Sequence, residues 1–208
     1  MSVLSTCPVV PVVVLDSADQ AVPLGEALLA GGIEVVEVTL RTEAGLPGIA
    51  ALAGLAGMTV GAGSVVLPEH VDAVVDAGAR FVVSPGTAVP VLRRCAVRGV
   101  PALPGVATAS EVMACVAEGL TEVKVFPAGL LGGPAHIAAL SAPFPGLRFM
   151  PSGGVGPETM GDYLALPSVP AVSGSWMVGR DLLGAGRWDE VTARSADAVA
   201  RATGHGGP

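Results

Sequence analysis

Lys124 is the only lysine in 208 residues, beside ten arginines, and it stands at the centre of the β-branched run "TEVKVFP" at 121–127. The Ala-, Gly-, Val- and Arg-rich composition makes lysine scarce by itself, so placement carries more weight than rarity. If Val123 and Val125 face a helix layer, Lys124 faces the opposite side. An amine buried there is disfavoured as ammonium and favoured as a free nucleophile, which makes it a candidate for a Schiff base. The ordinary alternative is a lysine whose amine snorkels to water or pairs with a carboxylate. In "VEVTLRT" at 36–42, Glu37, Thr39 and Arg41 alternate with Val36, Val38 and Leu40. On a strand that spacing puts the three polar side chains on one face. Glu37 admits two readings at this point, a group acting on a substrate or simply the ion-pair partner of Lys124 or Arg41.

These side chains need a scaffold, and apolar β-branched runs supply one. Strands are expected at 7–15, 33–40, 58–65, 80–85, 100–106, 121–127, 147–153 and 169–176. Between them lie helix-like segments of one to four turns, such as "PEHVDAVVDAGA" and "ASEVMACVAEGL", several ending near glycine, where a left-handed cap carries no steric penalty. Val-rich strands without polar alternation suit a parallel sheet covered on both faces, and eight βα units close into a (βα)8 TIM barrel of the α/β class. A doubly wound open sheet is the alternative. At roughly 26 residues per unit the barrel is compact, a single domain over 1–202 with a disordered tail expected at 203–208.

In a barrel, chemistry sits at the C-terminal ends of the strands. Glu37, Arg41, Ser64, Lys124, Ser152 and Ser175 all fall there. Glycine-rich segments "GAGS" at 61–64, "SPG" at 84–86, "PSGG" at 151–154 and "SGSW" at 173–176 stand at the C-terminal ends of strands three, four, seven and eight. Each alone is an ordinary tight turn. Those after strands seven and eight expose backbone N–H groups where barrels bind phosphate, and Ser175 adds a hydroxyl.

The composition excludes several classes. A net charge of −7 with scattered arginines offers no basic stripe for nucleic acid, although local phosphate binding stays open. No uninterrupted apolar span reaches membrane length. The start "MSVLSTCPVVPVVVLDSADQ" lacks a basic n-region and contains Pro8 and Pro11, so it reads as a buried strand and not a signal peptide; a cytoplasmic location is expected. Cys7, Cys95 and Cys115 are widely spaced without a C-x-x-C pair and read as buried apolar residues. His70, His136 and His205 are isolated, so no metal site and no cofactor are expected.

Taken together, "VEVTLRT", "GAGS", "SPG", "LPGV" at 103–106, "VKVFPA" at 123–128, "PSGG" and "SGSW" resemble, in order and spacing, the bacterial 2-keto-3-deoxy-6-phosphogluconate (KDPG) and 4-hydroxy-2-oxoglutarate (KHG) aldolases over nearly the whole chain. The resemblance implies a class I aldolase of the Entner–Doudoroff pathway, with Lys124 as Schiff-base lysine and Glu37 as general acid/base. It implies that Arg41 and Ser64 bind the pyruvate-derived carboxylate, and that Pro85 lines the site. Ser152, Gly153 and Gly154 with Gly174 and Ser175 would hold the phosphate of a phosphorylated keto-acid substrate. It also implies homotrimers. The chain departs from the pattern at Ser64 and Ser152, where threonine is usual, at Ser173, which replaces glycine, and at Gly129, where many relatives carry glutamate. Alternative readings are a 2-keto-3-deoxy-6-phosphogalactonate aldolase, a metal-dependent aldolase on the same fold and a non-catalytic phosphate-binding barrel.

Overall fold

The computed structural model describes Leu4 and residues 7–204. Eight parallel strands form its centre: β1 (Val9–Val13), β2 (Val35–Thr39), β3 (Thr59–Gly63), β4 (Val82–Ser84), β5 (Ala102–Val106), β6 (Glu122–Val125), β7 (Arg148–Pro151) and β8 (Val172–Gly174). Each lies inside its expected range, shortened where the apolar run continues into a loop or closing turn. The pairing order is β7-β6-β5-β4-β3-β2-β1-β8, and a bridge between Ser152 and Ser173 joins the two ends. Sequential neighbours closed by β1 against β8 make a (βα)8 barrel and exclude the doubly wound sheet, whose strand order must reverse.

Helices α1 (Ala21–Ala30), α2 (Gly45–Ala53), α3 (Pro68–Asp76), α4 (Val89–Arg98), α5 (Ala109–Ala117), α6 (Gly133–Ser141), α7 (Met160–Leu164) and α8 (Arg180–Gly184) alternate with the strands, and α9 (Trp188–Gly204) follows. Local chemistry marks their ends. Thr108 and Glu111 form a capping box that starts α5, and Gly99 adopts φ 66° to end α4. Val36, Val38, Val123 and Val125 are fully enclosed between barrel and helices. Burial of each such side chain contributes on the order of 1.5–3 kcal/mol.

The three cysteines are free and buried, and desolvation pushes the Cys95 thiol up to about 11 against the smaller opposing effect of a backbone hydrogen bond.

The first two residues of the expected tail are helical. α9 runs through Thr203 and Gly204, because Val191, Ser195, Ala198 and Ala202 keep a helical stripe buried to its last turn. The rest of that tail, including His205, lies outside the described residues. Among the described residues no helix is long and apolar enough to cross a membrane.

Candidate active site

Register decides where Lys124 points. Its partners are Gly105 on β5 and Met150 on β7, and all three share the inner face while Val123 and Val125 pack outward. Lys124 is 5% exposed, and its Nζ donates to both Glu37 carboxylate oxygens, each at 3.1 Å. Glu37, 1% exposed, reaches from β2, 87 residues earlier in the chain. The Phe126 ring lies 5.7 Å from Nζ, within cation–π range. The amine is therefore buried, neutralised by one carboxylate and within direct proton-transfer reach of it.

Gly63 makes room for that carboxylate. A Cβ at Gly63 would lie 2.3 Å from Glu37 Oε1, so any side chain there would displace the acid. The polar ladder on β2 divides in function. Thr39 donates to the Val13 carbonyl at 2.9 Å and ties β2 to β1, whereas Arg41, exposed beyond the strand end, donates through Nε to Ser64 Oγ at 3.3 Å. Ser64 holds φ 60°, the left-handed region a side chain seldom occupies, and that turn presents its hydroxyl to Arg41.

The third part of the site lies at the β7–β8 closure. Gly153 and Gly154 have φ 83° and 80°, a backbone course open to glycine, and the Phe126 ring packs against Gly153, where a Cβ would come within 3.1 Å. Ser152 is buried, and its backbone accepts from the Ala128 amide at 2.8 Å. A cavity of about 350 Å³ opens at these strand ends, lined by Arg41, Lys124, Ser152, Gly153, Gly154, Gly174 and Ser175, and also by Val12, Phe126 and Arg180. Glu37 and Ser64 join it through their bonds to Lys124 and Arg41. Pro85 is exposed at the end of β4 and is not among the residues lining this cavity; its carbonyl packs on Gly105, where a Cβ would come within 2.2 Å. Among the described residues no group of three or more His, Cys, Asp or Glu side chains converges as metal ligands would.

The family described as "KDPG and KHG aldolase" matches residues 1–194. The chain belongs to the KDPG and KHG aldolase family. It is 44% identical over 199 residues to the KHG/KDPG aldolase of Escherichia coli (strain K12), covering 95% of this chain and 93% of that protein. Among solved structures it resembles the KDPG aldolase of Legionella pneumophila with pyruvate captured as a covalent carbinolamine (TM-score 0.91, 38% identity, 94% of this chain and 96% of that one). It also resembles the KDPG aldolase of Zymomonas mobilis ZM4 with 3-phosphoglycerate (TM-score 0.88, 36% identity, 95% and 93%).

Within this KDPG and KHG aldolase barrel, the positions that depart from the family pattern have distinct surroundings. Ser173 is fully buried on the face shared with Val10, and among the described residues its hydroxyl has no hydrogen-bond partner. Gly129 donates to the Gly153 carbonyl at 2.9 Å, and a Cβ there would come 3.2 Å from Gly154 Cα, so a larger residue requires a small shift of that turn. Sequence reasoning did not single out Gly63, Phe126, Asp16 or Arg180. Gly63 carried a signal in its alternation with Gly61 on a strand beside Glu37, and Phe126 one in sharing the parity of Lys124. Asp16 and Arg180 carried none, because their meeting depends on β8 closing onto β1.

Proposed function

We propose that the chain is a class I aldolase that cleaves 2-keto-3-deoxy-6-phosphogluconate to pyruvate and glyceraldehyde 3-phosphate, the carbon–carbon cleavage of the Entner–Doudoroff pathway. The unphosphorylated 4-hydroxy-2-oxoglutarate is a second substrate. The observation that carries this reading is the Lys124–Glu37 contact, an enclosed amine 3.1 Å from both oxygens of a carboxylate and opening on a cavity of about 350 Å³. The pyruvate carbinolamine in the Legionella relative and the 3-phosphoglycerate in the Zymomonas relative support it.

The chemistry follows from the groups. Lys124 passes a proton to Glu37 and its freed amine attacks the C2 ketone; Glu37 returns that proton to the carbinolamine hydroxyl, which leaves as water and gives a cationic iminium. Glu37 takes the proton of the 4-hydroxyl, directly or through one water. The C3–C4 bond breaks, its electron pair moves toward the iminium nitrogen, and C4 leaves as the aldehyde of glyceraldehyde 3-phosphate. The enamine gains a proton at C3 and hydrolysis frees pyruvate and the lysine. Arg41, held by Ser64, offers a planar fork to the substrate carboxylate and sets the ketone over the amine. Ser152, Gly153, Gly154, Gly174 and Ser175 receive the phosphate, and Pro85 lines the approach. The enzyme is a cytoplasmic homotrimer.

Borohydride reduction in the presence of pyruvate tests the central step. A reduced three-carbon adduct on the Lys124 peptide is the expected result by mass spectrometry, and its equal formation in Lys124→Ala sinks the Schiff-base role.

A further inference from the structure

The aldol chemistry leaves one cation of the cavity without a task. Arg180 opens α8 just after β8 and lines the same cavity as Gly153, Gly154 and Ser175. Its partner is Asp16, which follows β1. Nε donates to Asp16 Oδ2 at 3.2 Å and Nη2 to Oδ1. The pair thus spans the β1 and β8 loops, which the β1–β8 pairing makes neighbours although 164 residues separate them. In the strand order β2-β1-β8, Arg41 and Arg180 stand on either side of β1, and Arg180 is the one beside the β7–β8 glycines.

A guanidinium has five N–H donors, and Asp16 engages Nε and one donor of Nη2, leaving the others available. The side chains are 60% and 46% exposed, so the pair itself adds little stability. Hydrogen bonding from Arg180 holds the Asp16 carboxyl below the usual carboxylate range, so Asp16 is a fixed negative charge at the cavity rim at neutral pH. A phosphate monoester, carrying nearly two negative charges, is repelled by such a carboxylate unless a cation stands between them.

We infer that Arg180 recognises the substrate phosphate from the β8 side, and that Asp16 is a positioning residue that holds the guanidinium at the rim and penalises phosphate binding whenever Arg180 is absent. This rests on the aldolase reading above, and it adds to the glycine and serine donors a charge that can distinguish phosphorylated from unphosphorylated substrates.

The test is steady-state cleavage of 2-keto-3-deoxy-6-phosphogluconate and of the same compound without phosphate, by the wild type, R180A, R180K, D16N and D16N/R180A. R180A is expected to raise KM for the phosphorylated substrate by about 10-fold or more with a much smaller change in kcat, the size of one lost charge-assisted hydrogen bond. The dephosphorylated substrate loses markedly less. R180K recovers part of the loss, since a point charge cannot keep the fork on Asp16 while meeting phosphate. D16N/R180A binds the phosphorylated substrate better than R180A, because the stranded carboxylate is gone. Inorganic phosphate, used as a competitive inhibitor, weakens in the same order. Equal losses on both substrates overturn the role of Arg180, and a double variant no better than R180A overturns that of Asp16. If the wild type forms no pyruvate adduct and cleaves neither substrate, the aldolase reading fails and this inference falls with it.

Discussion

Strand β6 carries two ion pairs on one face, and they teach different things. At its N-terminal end Glu122 meets Arg148 at 2.6 Å, and the two are register partners on adjacent strands. Two residues on, Lys124 has Gly105 and Met150 as register partners, neither of which can answer its charge. Its carboxylate comes instead from β2, a strand that does not pair with β6. Exposure separates them too: Arg148 is 39% exposed, whereas the Lys124 and Glu37 side chains are 7% and 2%. A cross-strand pair at the barrel's lower rim is what neighbouring strands produce without further design. A pair assembled across the barrel, enclosed and opening on a cavity, carries a desolvation cost that stability alone does not favour. The second pair is the one to examine for chemistry.

Glu37→Gln breaks that pair with the largest expected effect. Glutamine keeps the size and an acceptor for Lys124 but takes no proton. Cleavage is expected to fall roughly 10²–10⁴-fold, the range for loss of general acid/base catalysis, while pyruvate adduct formation falls less. The decisive quantity is the ratio of the two losses, from single-turnover trapping beside steady-state cleavage. A ratio near one returns Glu37 to the status of a charge partner.

The contrast between the two ends also shows what could be read from residue order. Parity within β2 and β6 was enough to send Glu37 and Lys124 inward, because a period of two follows from backbone geometry and the valines fix which face is covered. Eight βα repeats were enough for the barrel. Contacts across the closure were not legible. Asp16 and Arg180 meet only because β8 lies beside β1, and Gly63 matters because a carboxylate from the next strand occupies its Cβ position. That Thr203 and Gly204 are helical was not legible for a local reason, since both are weak helix formers carried by the buried stripe before them. Ser64 is the subtlest case. Its residue type suggested a donor, but its positive φ, which aims that donor, is a property of the folded turn.

Ser64 gives the next effect in size and sharpens the view that the upper rim trades stability for position. A non-glycine residue at φ 60° carries strain of about 1 kcal/mol, which glycine relieves. Ser64→Gly is therefore expected to raise stability in urea unfolding by up to about 1 kcal/mol. The same change frees Arg41, and KM for pyruvate-derived substrates rises about 2- to 10-fold, the worth of one hydrogen bond. Ser64→Ala removes the hydroxyl without relieving the backbone, so it reproduces the rise in KM without the gain in stability. Stability and binding falling together in Ser64→Gly refutes the positioning role.

The smallest effect is expected at the lower rim, where Arg148→Ala tests whether the Glu122–Arg148 pair is as ordinary as its geometry suggests. The N-terminal face of a barrel serves stability and not catalysis, so kcat/KM should stay within about 2-fold of wild type, the spread of surface substitutions away from special features. Arg148 is more than a third exposed, and solvent screens its side of the pair. Glu122 is more enclosed, with an 11% exposed side chain, which places the cost at the upper end of the range for exposed pairs, about 1 kcal/mol. Salt provides the internal control. Screening at about 1 M ionic strength shortens the Debye length to about 3 Å, so the stability gap between Arg148→Ala and wild type should narrow. The Lys124–Glu37 pair, sheltered from solvent ions, should show no such narrowing when Lys124→Ala is compared with wild type in the same two buffers. Urea unfolding at low and high salt reads both differences. A salt-independent gap at Arg148, or a tenfold loss of cleavage there, would mean that the two ends of β6 are not divided as their exposure implies.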